Sequence, residues 1–476
     1  MIIILLKMKK IYYLFSVVFA WFSTSMLYAQ EKTADVLAHF SSEAPVHWAV
    51  PTNEGRLDLE WRPRQNSLSQ EGFRSFVAYH EGVFSGSISL SSNSFSGEIW
   101  HEGHTYFLTD EKGLLRVSPS QGAASCATCQ EGDCDIHPSS QVLRRGTILA
   151  ETSLPSEDKR VLYNVHVMRT FRLAMLIDYS FYKGHCQGRM ELAKAFMVDV
   201  QTKLNEVCGR ELGYQFELVD DPRLIRDTKG KEVYPDKPLV RTVVNTATDA
   251  FNKLIGEENY DAGIVFSVYK DNRGLAHLGE ITGKLKGGCV ANEEFYIILH
   301  ELGHLLGSAH TFTIGGATAS SFTEPDRGNS IMSYINDPYG TYFSLPSIYT
   351  IHNRTNLHDA YYADKARTQL VGLAQPNIPY GEPSDNKAPM IDRSKLKKSY
   401  TLPPNTYFQF TIEARDPDGD PLLYMAHQAD FKMFGKARFP SNRPTTDNKI
   451  AFYRPYTKDK STNEWKEVPY KFTGEY

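Results

Sequence analysis

His300-Glu301-Leu302-Gly303-His304-Leu305-Leu306-Gly307-Ser308-Ala309-His310 is the stretch on which the reading of this chain turns. With Phe295 to Leu306 read as a helix, His300 and His304 lie four residues apart on one face. Two imidazoles so placed can share one cation, and imidazole suits zinc. Glu301 sits about 100° further round the helix, beside that cation rather than on it, where a general base for a water nucleophile belongs. Gly307 can take φ > 0, so the chain can leave the helix there and bring His310 back as a third ligand. Three protein ligands leave the fourth position open, the mark of a catalytic zinc site. A chance helix with two histidines and a glutamate is easy to imagine. Requiring Gly307 and His310 as well makes coincidence remote, since 33 glycines and 15 histidines share 476 positions.

These residues resemble the metzincin metallopeptidases, whose signature HExxHxxGxxH is followed by a methionine turn. Ser330-Ile331-Met332-Ser333-Tyr334 supplies the turn. The resemblance implies that Met332 forms an apolar floor under the three histidines. A Tyr two positions after that Met is similar to the astacin and serralysin branches, which implies that Tyr334 ligates zinc at rest and hydrogen-bonds the oxyanion during reaction. Ordinary packing is the competing reading of Tyr334. A rival third ligand is Glu324, 20 residues after His304, which would suit a thermolysin-like site. Pro325 disfavours helix at Glu324, whereas that kind of ligand sits on one.

Length and composition set the frame. At 476 residues the chain holds two to four domains, and 41% hydrophobic content is ordinary for a folded soluble protein. The net charge of −4 comes with both signs mixed, and no basic or aromatic-basic stripe points to nucleic acid. Residues 1–29 read as a secretory signal peptide: Lys7, Lys9 and Lys10, an apolar run from Ile11 to Leu27, then Ala29. Ser23, Thr24 and Ser25 interrupt that run, against an uncleaved anchor, and no later segment is apolar enough for stable membrane insertion. The expected location is therefore secreted or cell-surface, in a compartment where disulfides form.

Before the histidines, residues 30–169 read as a β-rich propeptide. Phe76 to Val117 alternates apolar and polar residues, with Gly82, Gly86, Gly97, Gly103 and Gly113 read as turns. Ser85-Gly86-Ser87-Ile88-Ser89-Leu90, Ser96-Gly97-Glu98-Ile99 and Thr105-Tyr106-Phe107 are similar to reprolysin-type propeptides; an independent β domain is the alternative. Cys126, Cys129 and Cys134 follow, beside His137. Either an unpaired thiolate there or a carboxylate such as Asp133 or Asp135 would hold the enzyme latent, and a structural disulfide cluster is the competing reading. Lys159-Arg160 and Arg169 are the candidate activation cuts. Of the later cysteines, Cys186 and Cys208 flank a long helix expected at Gln187 to Glu206 and cannot pair, so Cys289 bonds one of them or neither.

Residues 170–374 read as the catalytic domain. Strands at Phe171 to Ile177, Tyr214 to Val219 and Ile264 to Val268 alternate with helices, the second at Val243 to Leu254, which indicates a mostly parallel α/β sheet. Tyr260 to Val268 and Gly274-Leu275-Ala276-His277-Leu278-Gly279 resemble the reprolysin-like (adamalysin-like) peptidases, where the second stretch is an antiparallel edge strand along the cleft; His277 reads as lining a groove. After His310 stands Thr311, where adamalysins commonly have Asp and astacins Glu. A closing helix is expected at Leu345 to Leu370. Residues 375–389, with four prolines, read as a linker, and 390–476 resemble an immunoglobulin-like β-sandwich module. Asp416, Asp418 and Asp420 are candidate calcium ligands or a plain acidic turn. An EF-hand is excluded, with Pro421 and His427 at its sixth and twelfth positions.

The expected protein is thus a secreted zinc endopeptidase acting on proteins or peptides, with Glu301 as base, Tyr334 on the oxyanion, and His300, His304 and His310 on the metal. The alternative from another class is a binding or adhesive exported protein that keeps a dead metzincin fold. An intact Glu301 argues against it, because a dead site has no use for the base.

Overall fold

A computed structural model describes residues 31–101, 104–120, 167–271, 273–311, 330–333 and 342–355. In the C-terminal part it describes 382–387, 389–396, 401, 408–424, 449–452, 456–458 and 465–467. After helix α1 (Thr33–His39), seven strands form an antiparallel meander in sequence order: β1 (Val46–Thr52), β2 (Gly55–Arg64), β3 (Arg74–His80), β4 (Val83–Leu90), β5 (Phe95–His101), β6 (His104–Glu111) and β7 (Leu114–Pro119). Gly82 and Gly113 make turns at positive φ, as expected. Gly86 and Gly97 do not: they lie inside β4 and β5, opposite Ile99 and Ile88. A Cβ on Gly97 would come within 2.6 Å of the Ser87 carbonyl, so close approach of two strands requires glycine there, not a turn.

In the middle strands β3, β4 and β5 both faces of this sheet are buried, whereas β1, β2, β6 and β7 bury one face. One face carries Trp48, Trp61, Phe76, Ile88, Leu90 and Ile99 in a core of its own with Phe40. Ser87 pairs with Glu98 and Ser89 with Ser96, so these four share the other face. That face meets the catalytic half: Ser87 Oγ donates to Asp199, and Leu68, Phe73, Val77, Phe84 and Trp100 join the catalytic half's core.

The catalytic half has β8 (Val167–Ile177), α2 (Tyr179–Gly184), α3 (Met190–Leu212), β9 (Tyr214–Leu218), α4 (Val240–Ile255), β10 (Ala262–Phe266), β11 (Gly274–Ala276), β12 (Cys289–Ala291), α5 (Phe295–Leu306) and α6 (Leu345–Thr355). β8, β9, β10 and β12 run parallel, and β11 is the antiparallel edge next to β12. This is the expected α/β sheet with its antiparallel edge. The long helix α3 starts later than Gln187, because Gln187 and Gly188 sit at φ of 55° and 68° and break the helix there. It runs on through Cys208 to a left-handed Gly213. Cys186 and Cys208 are buried free thiols, so Cys289 is bonded to neither.

The start of β8 corrects one expectation. Arg169 is not an exposed activation cut: it is buried, pairs with Tyr214 in the sheet, and donates to the Thr355 carbonyl (2.9 Å). Cutting there would remove the first three residues of β8. Lys159-Arg160 lies outside the described residues, as do Cys126, Cys129, Cys134, Asp133 and Asp135. Within the expected linker, β13 (Glu382–Pro383) adds an antiparallel strand to β8. Beyond it the described residues form two-stranded antiparallel pieces: β14 (Met390–Ile391) with β16 (Ala414–Arg415), β15 (Phe408–Thr411) with β17 (Lys449–Phe452), and β18 (Tyr456–Lys458) with β19 (Trp465–Glu467). Among the described residues no helix is long and apolar enough to cross a membrane.

Candidate metal centre

The histidine helix α5 spans the residues read as helical from the sequence. It ends as expected at Gly307, at φ +120°. The Gly307 N–H bonds the His304 carbonyl (2.9 Å) and the Ser308 N–H bonds that of Gly303 (2.9 Å), the Schellman pattern. This exit swings the chain so that His310 returns beneath the helix. His300 Nε2 and His304 Nε2 each lie 3.1 Å from His310 Nε2, and all three rings are buried.

The protonation of these rings follows from their other nitrogens. His300 Nδ1–H donates to the Ile331 carbonyl (2.6 Å) and His304 Nδ1–H to that of Ser308 (2.8 Å). A carbonyl only accepts, so both rings carry a proton on Nδ1 and turn Nε2 inward. The three Nε2 atoms thus converge on one point. Three imidazoles with inward Nε2 atoms, two of them tied to backbone carbonyls through Nδ1, are a donor set for zinc. Among the described residues this is the one His/Cys/Asp/Glu group gathered closely enough to hold a metal ion.

The methionine turn packs against the histidine helix and the loop that follows it. Met332 is fully buried, and a Cβ on Gly303 would sit 2.3 Å from its sulfur. Gly303 therefore costs helix propensity in order to admit Met332. Thr311, which departs from the Asp or Glu of related families, donates through its N–H (3.1 Å) and its hydroxyl (3.3 Å) to the Met332 carbonyl. It thereby ties the third-ligand loop to the turn. Tyr296 OH donates to the Ile331 (3.3 Å) and Ser333 carbonyls.

Glu301 is wholly buried against the edge strand β11. A Cβ on Gly274 would lie 2.6 Å from its Cγ and 2.7 Å from its Oε1, so a strand glycine clears the space the carboxylate occupies. Sequence reasoning did not assign Gly274 a role; a glycine inside a strand pattern was the available hint. His277, half-buried, packs on Gly288 past the strand's end. Tyr334 and Glu324 lie outside the described residues. The acidic turn gives calcium no support. Asp418 is paired with Lys387 (3.0 Å), and Asp416 accepts from the Asp418 and Asp420 N–H groups.

Residues 167–344 match the Reprolysin_5 model of metallo-peptidase family M12, a span that runs from β8 through the methionine turn. That segment is a metzincin-like zinc metallopeptidase domain. The protein is a metallopeptidase, a hydrolase that acts on peptide bonds. No curated protein matches the chain. Among solved structures, the crystal structure of metalloproteinase-II from Bacteroides fragilis aligns with 68% of this chain and 96% of its own at 11% identity, with a TM-score of 0.38. A structure of a chaperone–substrate complex aligns with 57% of this chain and 38% of its own at 12% identity, with a TM-score of 0.29.

Proposed function

We propose that the protein is exported and made as a proenzyme, and that its mature form is an endopeptidase with Glu301 as general base. The observation that carries the reading is the convergence of three buried Nε2 atoms on the helix that also carries the buried carboxylate of Glu301. His300, His304 and His310 would hold zinc, which when bound polarises the scissile carbonyl and makes water acidic enough to attack. Glu301 takes the proton of the attacking water and passes it to the leaving nitrogen. The edge strand β11 takes an extended peptide by main-chain hydrogen bonds. Tyr334 supplies a donor to the oxyanion. Residues 1–29 act as the signal peptide, 30–166 hold the latent form, and 390–476 form a sandwich module outside the catalytic unit.

Casein degradation tests this after proteolytic conversion, with and without a chelator. Glu301→Gln should keep its zinc and lose nearly all activity, while His310→Ala should lose the metal. Tyr334→Phe should lower kcat by about 10²–10³ with little change in KM. A Glu301→Gln enzyme that still degrades casein would remove the base from the mechanism. Activity indifferent to chelation would favour the binding-protein alternative with a contaminating protease.

A further inference from the structure

The first turn of α5 is not capped from within its own strand-to-helix connection. Its N-cap residue Glu294 makes no side-chain cap. That carboxylate is taken instead by Arg273 and by Ser120 Oγ (2.8 Å). The first free amide, Phe295 N–H, is bonded to Glu98, at 3.2 and 3.1 Å from its two oxygens. Glu98 belongs to β5, almost two hundred residues earlier, on the face of the N-terminal sheet that meets α3.

Glu98 is only 3% exposed and its partners are buried as deeply: Lys203 at 1% and Asp199 at 2%. Lys203 Nζ lies 2.7 Å from Glu98 and 2.8 Å from Asp199, one turn away on α3. Two carboxylates and one ammonium leave a formal charge of −1, and the positive end of the α5 dipole faces that excess. The same spot is held by apolar contact. Trp100, two residues along β5, stacks on the Phe295 ring at 6.0 Å and 7°, and Lys203 Nζ lies 5.1 Å over that ring. Desolvation still tells: burial pushes the Glu98 carboxyl up to about 7, against the pull of Lys203 and the Phe295 N–H.

We propose that Glu98 is a positioning residue of the metal centre in the full chain, an ionic cap delivered by the N-terminal sheet that fixes the helix presenting His300, Glu301 and His304. Resting on the peptidase reading of the histidine cluster, this makes the N-terminal sheet a brace of the metal centre in the proenzyme, one that lasts as long as the sheet stays docked. The physical link is short. His300 follows Phe295 by five residues, about 7.5 Å along a rigid helix, so a frayed first turn changes how firmly the first ligand is aimed.

The test compares two double variants of the full chain. Glu98→Gln/Lys203→Met keeps an oxygen for the Phe295 N–H and removes the ion pair, whereas Glu98→Leu/Lys203→Met removes both. Asp199 is in the same state in each, so the difference isolates the cap. Zinc affinity by chelator competition and the visible spectrum of the cobalt form are read where circular dichroism shows both folded. The Gln pair should bind zinc within about threefold of wild type. The Leu pair should bind about tenfold more weakly, with shifted cobalt bands, the scale of a lost charged cap. Glu98→Asp keeps the charge beside Lys203 but withdraws the carboxylate by about 1.5 Å, and should weaken zinc in the same direction. It decides the matter alone if the Leu pair does not fold. Wild-type affinity and spectrum in Glu98→Asp, and in the Leu pair where it folds, would overturn the positioning role while leaving the peptidase reading intact. A wild-type chain that binds neither metal would overturn both.

Discussion

Two buried polar clusters meet the histidine helix, and they differ in where their positive charge comes from. At its first turn, Glu98 and Asp199 close on the ammonium of Lys203, so acids and base answer each other within the chain. Further along, three imidazoles bring their Nε2 atoms together, a set of nitrogen donors suited to a metal ion. The first cluster is complete as folded and belongs to structure, like most buried ion pairs. The second gathers the donors a cation takes, and that is what separates a site from a scaffold. Polarity and burial alone do not distinguish them; the balance of donors and acceptors does.

Metal removal should divide the two clusters most sharply. Zinc binds the folded state, so at a thousandfold excess over Kd it adds about 4 kcal/mol, and a chelator should lower Tm by several degrees. His310→Ala should start lower and show no further loss on chelation. Glu98→Gln/Lys203→Met should keep the chelator response, because its metal ligands are untouched. A wild-type Tm indifferent to chelator and to added zinc would break the distinction.

How much of this was legible in the sequence follows from how local each signal is. The bounds of α5 and the exit at Gly307 could be read because helix periodicity and a glycine stop act within four residues. The parallel sheet followed from alternation of strands and helices, and its antiparallel edge from the resemblance of residues 274–279 to reprolysin-like peptidases. The junction could not be read. Ser-Ile-Ser-Leu in β4 has the alternation of a strand with one solvent face, yet Ser87 and Ser89 are buried on the side that meets α3. Polar side chains serve there where they find a partner on the helix, as Ser87 does on Asp199 and Glu98 on Lys203. No pattern within β4 or β5 announces a partner at position 199 or 203. Arg169 misled for the same reason: a basic residue between apolar ones reads as exposed, but its guanidinium reaches the end of α6.

The smallest expected effect comes from one methyl group at the edge strand, and it probes the half of the site that holds no metal. In Gly274→Ala the new Cβ would fall 2.6 Å from Glu301 Cγ and 2.7 Å from Ile297 Cγ2, closer than carbon atoms pack. Something must yield. The backbone of β11 is held to β12 through Leu275 and Val290, and Ile297 is locked in the core, so the Glu301 side chain is the part that turns. Glu301 is not a ligand, so zinc content should be unchanged. A base displaced by about 1 Å should cost on the order of 10² in kcat, with KM nearly constant. Gly303→Ala is the matching control, because its Cβ presses on the Met332 sulfur instead and should loosen zinc rather than move the base. If Gly274→Ala lost zinc while keeping its kcat when reloaded, the carboxylate beside the strand would belong with the ligands rather than with the proton transfer.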